Sequence, residues 1–148
     1  MTATSARAWV DGGARGNPGP AGFGILLEHE GGREEIGGYL GSTTNNVAEY
    51  TALATLLGRA LELGLTRLEV ASDSELVVKQ VAGVYKVKAP HLQPIFLAVQ
   101  AMKKRIPHFR LRHVPREQNR EADRLANRAI DERLPLPSCL DRQLLPDS

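Results

Sequence analysis

A chain of 148 residues with 42% apolar side chains is long enough for one domain to bury its own core, and its single cysteine, Cys139, excludes an internal disulfide framework. The N-terminus lacks a signal-peptide stretch and no apolar run reaches the ~18 residues of a membrane span, so a soluble, cytoplasmic protein is expected. Its net charge of +2 is unevenly spread, with −5 over residues 1–78, +9 over 79–128 and −2 over 129–148, which describes either a polyanion-binding surface beside a cation site or a solvated cationic face.

The stretch ARAWVDGG alternates Ala6, Ala8 and Val10 with Arg7, Trp9 and Asp11, and this period of two predicts a strand ending at Asp11. GARGNPGPAG follows as a loop, because its Gly and Pro supply turns and interrupt pairing. AGFGILLEHE and REEIGGYLGS predict two further strands joined through Gly31 and Gly32 as a hairpin. Residues 45–63 predict an amphipathic helix closed by Gly64, with Ala52, Leu53, Leu56, Leu57, Ala60 and Leu61 as its apolar stripe. TRLEVASD then reads as a strand ending near Asp73, and SELVVKQV as a short helix. Beyond the connector GVYKVKAPHLQP lie a helix over 92–105, a strand in HFRLRHV and a last helix in NREADRLANRAI. Residues 1–133 are expected to form the domain, and the Pro-rich 134–148 a loosely docked or disordered tail. Antiparallel strands followed by strands alternating with helices predict an α/β fold, a mixed sheet covered by helices. The ligand site of such a sheet lies beyond the carboxyl ends of its central strands, where Asp11 and Asp73 both fall.

Glu49 interrupts this pattern, because at 100° per residue it falls inside the apolar stripe of its own helix. A buried carboxylate without a partner costs several kcal/mol. No Lys or Arg shares its stripe until the far helix end, and Asp11, Asp73 and Asp123 can all reach the same point. Taken singly, Asp73 could be a helix cap, Asp11 a turn residue and Asp123 a surface charge. Together with Glu49 they would repel one another unless a cation sat among them. With no second Cys and no clustered His, all-oxygen ligation favours Mg²⁺ or Mn²⁺ over Zn²⁺.

The segments DGGARGNPGPAGFG, TTNNVAEYTAL, SDSELVVKQV and HVPREQNREADRLAN, in this order and over roughly residues 6–131, resemble the successive motifs of type 1 ribonuclease H. The resemblance implies a five-stranded mixed sheet, three antiparallel strands then two parallel, flanked by helices. It also implies an endonuclease that cuts the RNA strand of RNA/DNA hybrids with two Mg²⁺ ions, Mn²⁺ substituting, and leaves 5′-phosphate and 3′-hydroxyl ends. By motif position the ligands are Asp11, Glu49, Asp73 and Asp123, the four already reached from the residues. Gly12, Gly13 and Asn17, with Asn45 and Asn46, match groups that sense the RNA 2′-hydroxyl, and Thr44 matches a DNA-phosphate contact. Asn45 is also expected to cap its helix. Gln80, Lys86 and Lys88 are expected on backbone phosphates. The implied enzyme is monomeric and binds no membrane, and double-stranded RNA is a further candidate substrate.

Two features depart from the family pattern. Only AGVYKVKAPHLQ separates the helix of Gln80 from the next one, so the basic protrusion that grips the hybrid in many bacterial members is missing. His113 has the family's spacing from Asp123 for a proton-handling histidine, but its loop contains Pro115 where the family is glycine-rich. Arg116 or Glu117 is the alternative there, for phosphate binding or product release. Other nucleases of this fold, such as a junction resolvase or a 3′ exonuclease, and a binding module without catalysis are the competing classes.

Overall fold

A computed structural model describes residues 4–146. Five strands form one mixed sheet: β1 (Ser5–Ala14), β2 (Gly19–His29), β3 (Gly32–Thr43), β4 (Arg67–Ser72) and β5 (His108–His113), in the order β3-β2-β1-β4-β5. β1 pairs antiparallel with β2, and β2 with β3, whereas β4 lies parallel to both β1 and β5. The helices are α1 (Asn45–Glu62), α2 (Glu75–Val81), α3 (Gln93–Lys104) and α4 (Arg120–Asp131). This is the α/β arrangement expected.

The first strand runs further than its alternation indicates. Gly12, Gly13 and Ala14 stay in the ladder opposite Phe23, Gly22 and Ala21, so the loop shrinks to residues 15–18. Gly12 marks a close approach and not a turn: a Cβ there would stand 2.4 Å from the backbone carbonyl of Ala48, so α1 crosses β1 almost touching it. The same logic governs the other face. A Cβ on Gly24 would lie 2.5 Å from Ala126 N, and one on Gly22 would lie 2.9 Å from the Ile130 side chain. Bare strand surface is what lets α4 settle on the sheet with Ala122, Leu125, Ala126, Ala129 and Ile130 buried, the stripe its sequence predicts.

Opposite α4, the alternating Ala6, Ala8 and Val10 join Phe23, Ile25 and Leu27 beneath Leu53, Leu56 and Leu57 of α1 and Ile95 and Val99 of α3. Thr51 and Thr55 are fully buried in α1, and their hydroxyls donate to the carbonyls of Val47 (2.6 Å) and Thr51 (2.7 Å), which leaves no orphan donor. Gly64, at φ +69°, follows α1 as expected. The N-terminal cap of α1 is a correction: Thr44 fills it, its Oγ1 accepting from Val47 N at 3.3 Å, and Asn45 is the first helical residue.

The segment after α4 lies against the domain. Tyr39 N on the outer edge of β3 donates to Leu134 O (2.9 Å), Leu140 is buried in the core, and the Cys139 carbonyl passes Gly58 where a Cβ would come within 2.5 Å. No helix of the described residues is long and apolar enough to cross a membrane.

Candidate active site

β1 and β4 are parallel neighbours, with Val10 opposite Ser72, so Asp11 and Asp73 emerge side by side at their carboxyl ends. Asp11 is the ladder partner of Gly24 and shares the sheet face on which α4 rests, which brings Asp123, one turn into α4, alongside it. Glu49 arrives from the other layer, one turn into α1. The four carboxylates line a single open cleft of about 400 Å³ together with Gly12, Gly13, Ala14, Arg15, Asn45, Arg116 and Asn127.

Electrostatics in this cleft are unfavourable for the protein by itself. Burial, then the charge of Asp73, contact with Asp123 and the charge of Glu49 push Asp11 up to about 8. Burial also raises Glu49 to about 7, against the hydrogen bond that the Ser74 hydroxyl donates to its Oε2 at 2.8 Å, with the Asp73 charge raising it further. Arg116 stands 3.7 Å from Asp123, but its side chain is 80% exposed. Such a donor set, all oxygen and short of positive charge, fits a hard divalent cation. Among the described residues no three His, Cys, Asp or Glu side chains converge into a ready ligand cage.

Around the acids, the end of β1 and the loop after it are tied to the start of α1 by two hydrogen bonds. Asn45 N donates to Asn17 Oδ1 at 3.0 Å and Ala14 N donates to Asn45 Oδ1 at 2.8 Å. Each oxygen accepts one of these bonds, and the Nδ2 groups of Asn17 and Asn45 remain as donors toward a ligand. Asn46 is half-buried beside them. Lys86 and Lys88 are exposed on either side of the buried Val87.

Gln80 departs from expectation. It is 7% exposed, accepts from the Tyr50 hydroxyl at 2.8 Å and donates to Lys86 O at 3.3 Å, so both ends of its amide are used inside the protein. It holds the lysine-bearing segment to α1. His113 is exposed at the end of β5, opposite Ser72, and is not among the residues lining the cleft, whereas Arg116 is; Glu117 is exposed and also outside it.

Several residues that sequence reasoning passed over hold this geometry. Ser74 both caps α2, accepting from Val77 N, and orients Glu49. Asn119 is 1% exposed; its Nδ2 donates to Val10 O at 2.8 Å, and its own carbonyl accepts from Asp123 N at 3.1 Å. It thereby couples the residue before Asp11 to the helix of Asp123. Its place ahead of α4 suggests only a cap; its partner is 109 residues away and leaves no local signal.

Residues 9–129 match the reverse transcriptase-like family. The chain is 44% identical over 125 residues to the bifunctional protein Rv2228c of Mycobacterium tuberculosis, covering 82% of this chain and 34% of that protein. It is 34% identical over 139 residues to the ribonuclease H of Alkalilimnicola ehrlichii, covering 84% of this chain and 94% of that one. It also superimposes on LC11-RNase H1, solved in complex with an RNA/DNA hybrid, with a TM-score of 0.80 at 44% identity, covering 86% of this chain and 98% of that one. The chain spans about a third of the length of the mycobacterial relatives it matches.

Proposed function

Because the chain belongs to the type 1 ribonuclease H family, we propose that it is a cytoplasmic endonuclease that hydrolyses the RNA strand of RNA/DNA hybrids and leaves 5′-phosphate and 3′-hydroxyl ends. One observation carries the reading: carboxylates from β1, α1, the end of β4 and α4 share a cleft in which burial and neighbouring charge disfavour the ionised forms of Asp11 and Glu49. Asp11, Glu49, Asp73 and Asp123 would hold two divalent ions, Mg²⁺ with Mn²⁺ able to replace it. Bound there, the ions supply an activated water and charge stabilisation for an in-line displacement at phosphorus.

The chain's own residues prepare that chemistry. The Ser74 hydroxyl fixes Glu49 Oε2 and favours its ionised form. Asn119 sets Asp11 and Asp123 relative to one another through Val10 O and the first turn of α4. Gly13 leaves open backbone at the cleft, where a Cβ would have only Asn45 Oδ1 within reach at 3.8 Å, so a ribose can approach there, and the Nδ2 donors of Asn17 and Asn45 can read its 2′-hydroxyl. Thr44, Asn46, Lys86 and Lys88 serve the nucleic-acid backbone. His113 or Arg116 assists at the phosphate, Arg116 from the cleft wall.

The test incubates the protein with labelled RNA/DNA hybrid, double-stranded RNA, duplex DNA and a four-way junction, each with Mg²⁺ or Mn²⁺. Cleavage of the hybrid's RNA strand, lost in Asp73→Asn while hybrid binding persists, is expected. Cleavage of the junction or of duplex DNA in its place would overturn the reading, and so would an Asp73→Asn variant that still cuts.

A further inference from the structure

Of the residues lining the cleft, only Arg15 and Arg116 are cationic, and they reach it from different elements. Arg15 sits in the loop between β1 and β2 and is drawn onto α4. Its Nη1 donates to Asp131 Oδ1 at 2.6 Å and its Nη2 to Asn127 Oδ1 at 3.2 Å. Asp123, Asn127 and Asp131 recur every four residues along one side of that helix, so Arg15 lies roughly 6–12 Å beyond Asp123 along the helix axis.

The ion pair is poorly explained as a device for stability. Its side chains are 47% and 59% exposed, a setting in which such pairs contribute little. Asp131 is moreover the last residue of α4, where the helix dipole disfavours a carboxylate and favours a cation. The planar, charged fork of a guanidinium at a cleft wall also matches the geometry of a phosphate.

We propose that Arg15 forms a second anion subsite of the cleft, taking a nucleic-acid phosphate that flanks the one attacked, and that Asp131 fills this subsite until substrate displaces it. The proposal rests on the hybrid-cleaving reading given above. Arg15 then contributes affinity and register for the strand, and Asp131 sets how much of that affinity is realised. Asn127, whose Nδ2 donates to Asp123 O at 3.0 Å, keeps the guanidinium in line with the carboxylates.

Hybrid affinity is measured by fluorescence anisotropy between 50 and 200 mM salt in proteins that all carry Asp73→Asn, so that hybrid is bound and not cut; kcat and KM are measured without that change. Arg15→Gln is expected to weaken binding about tenfold, with a log affinity against log salt slope shallower by about 0.9 and a loss falling more in KM than in kcat. Arg15→Lys, which keeps the charge without the planar fork, falls between the two. Asp131→Asn is expected to tighten binding about threefold, a gain that disappears when Arg15→Gln is also present. Weaker or unchanged binding by Asp131→Asn, or an unaltered salt slope in Arg15→Gln, overturns the subsite and leaves the ribonuclease reading standing. A parent protein that binds no hybrid brings down both.

Discussion

Replacing Asp11 by Asn removes the most heavily burdened charge of the cleft at nearly constant shape, and its effect on stability should reverse the usual expectation for an active-site substitution. Folding raises the Asp11 carboxyl from 3.8 to about 8, so the native state holds a proton that the unfolded chain releases. The sign follows: this term costs nothing below about pH 4, grows as pH rises past the unfolded value, and reaches its full size above about pH 8. A shift of that size corresponds to at most on the order of 5 kcal/mol near pH 8. Leaving a partly buried amide short of partners gives back ~1–3 kcal/mol of it. Without divalent cation, Asp11→Asn should therefore be about 2–4 kcal/mol more stable than the parent at pH 8, roughly 5–12 °C in Tm, and no more stable at pH 4. Saturating Mg²⁺ should erase the difference, because it binds the native parent and not the variant. Urea unfolding at pH 4, 6 and 8, with EDTA and with Mg²⁺, reads all three. Equal or lower stability of Asp11→Asn at pH 8 in EDTA would refute the claim that these acids are forced together at the fold's expense.

Ser74→Ala removes both the cap of α2 and the hydroxyl on Glu49, so about 1 kcal/mol of stability should be lost and the acidic limb of the kcat/KM–pH profile should move upward, as Glu49 protonates more readily. Gly24→Ala places a methyl group 2.5 Å from Ala126 N; displacement of α4 should cost ~1–3 kcal/mol in urea unfolding and depress kcat through Asp123. Gln80→Leu strands the Tyr50 hydroxyl and should cost ~1–3 kcal/mol with little change in salt slope, whereas Lys86→Ala should leave stability intact and flatten the slope by about 0.9. With only residues 82–89 and a short 3-10 turn between α2 and α3, the parent protein should make few ionic contacts, and a binding slope as steep as about −6 would contradict this.

What the sequence made legible follows from periodicity. Apart from the far end of β1, strands and helices whose buried faces repeat every two or 3.6 residues appear within a residue or two of their expected bounds, as α1 and β5 illustrate. The misreadings have a common cause, since each concerns a residue whose role is set by a distant neighbour. Gly12 looks like the start of a turn until α1 is known to cross it, because a missing side chain has the same spelling in a turn and at a close approach. Gln80 looks available for phosphate until Tyr50 and Lys86 are found at the two ends of its amide. The Pro-rich end carries no period at all, yet Leu140 enters the core because α1 has a glycine at position 58 to admit the Cys139 carbonyl.

Glu49 escaped this ambiguity for a physical reason that also explains why its supports did not. An acid on an apolar stripe violates a local rule, and the violation is visible in the sequence without any knowledge of the partner. Asn119 violates nothing: an asparagine ahead of a helix is ordinary, and its grip on Val10 O exists only once β1 and α4 have met. The same holds for Arg15, whose place in a Gly-Pro loop is unremarkable until Asp131 is found beneath it at a helix end that should prefer the opposite charge. Reactive groups that work against the fold announce themselves locally, whereas groups that position them are consistent with their surroundings and emerge only from the assembled hydrogen bonds. Substitutions at Asp11 should accordingly trade activity for stability, while substitutions at Asn119 should lose both, because that side chain serves the fold and the site through one bond.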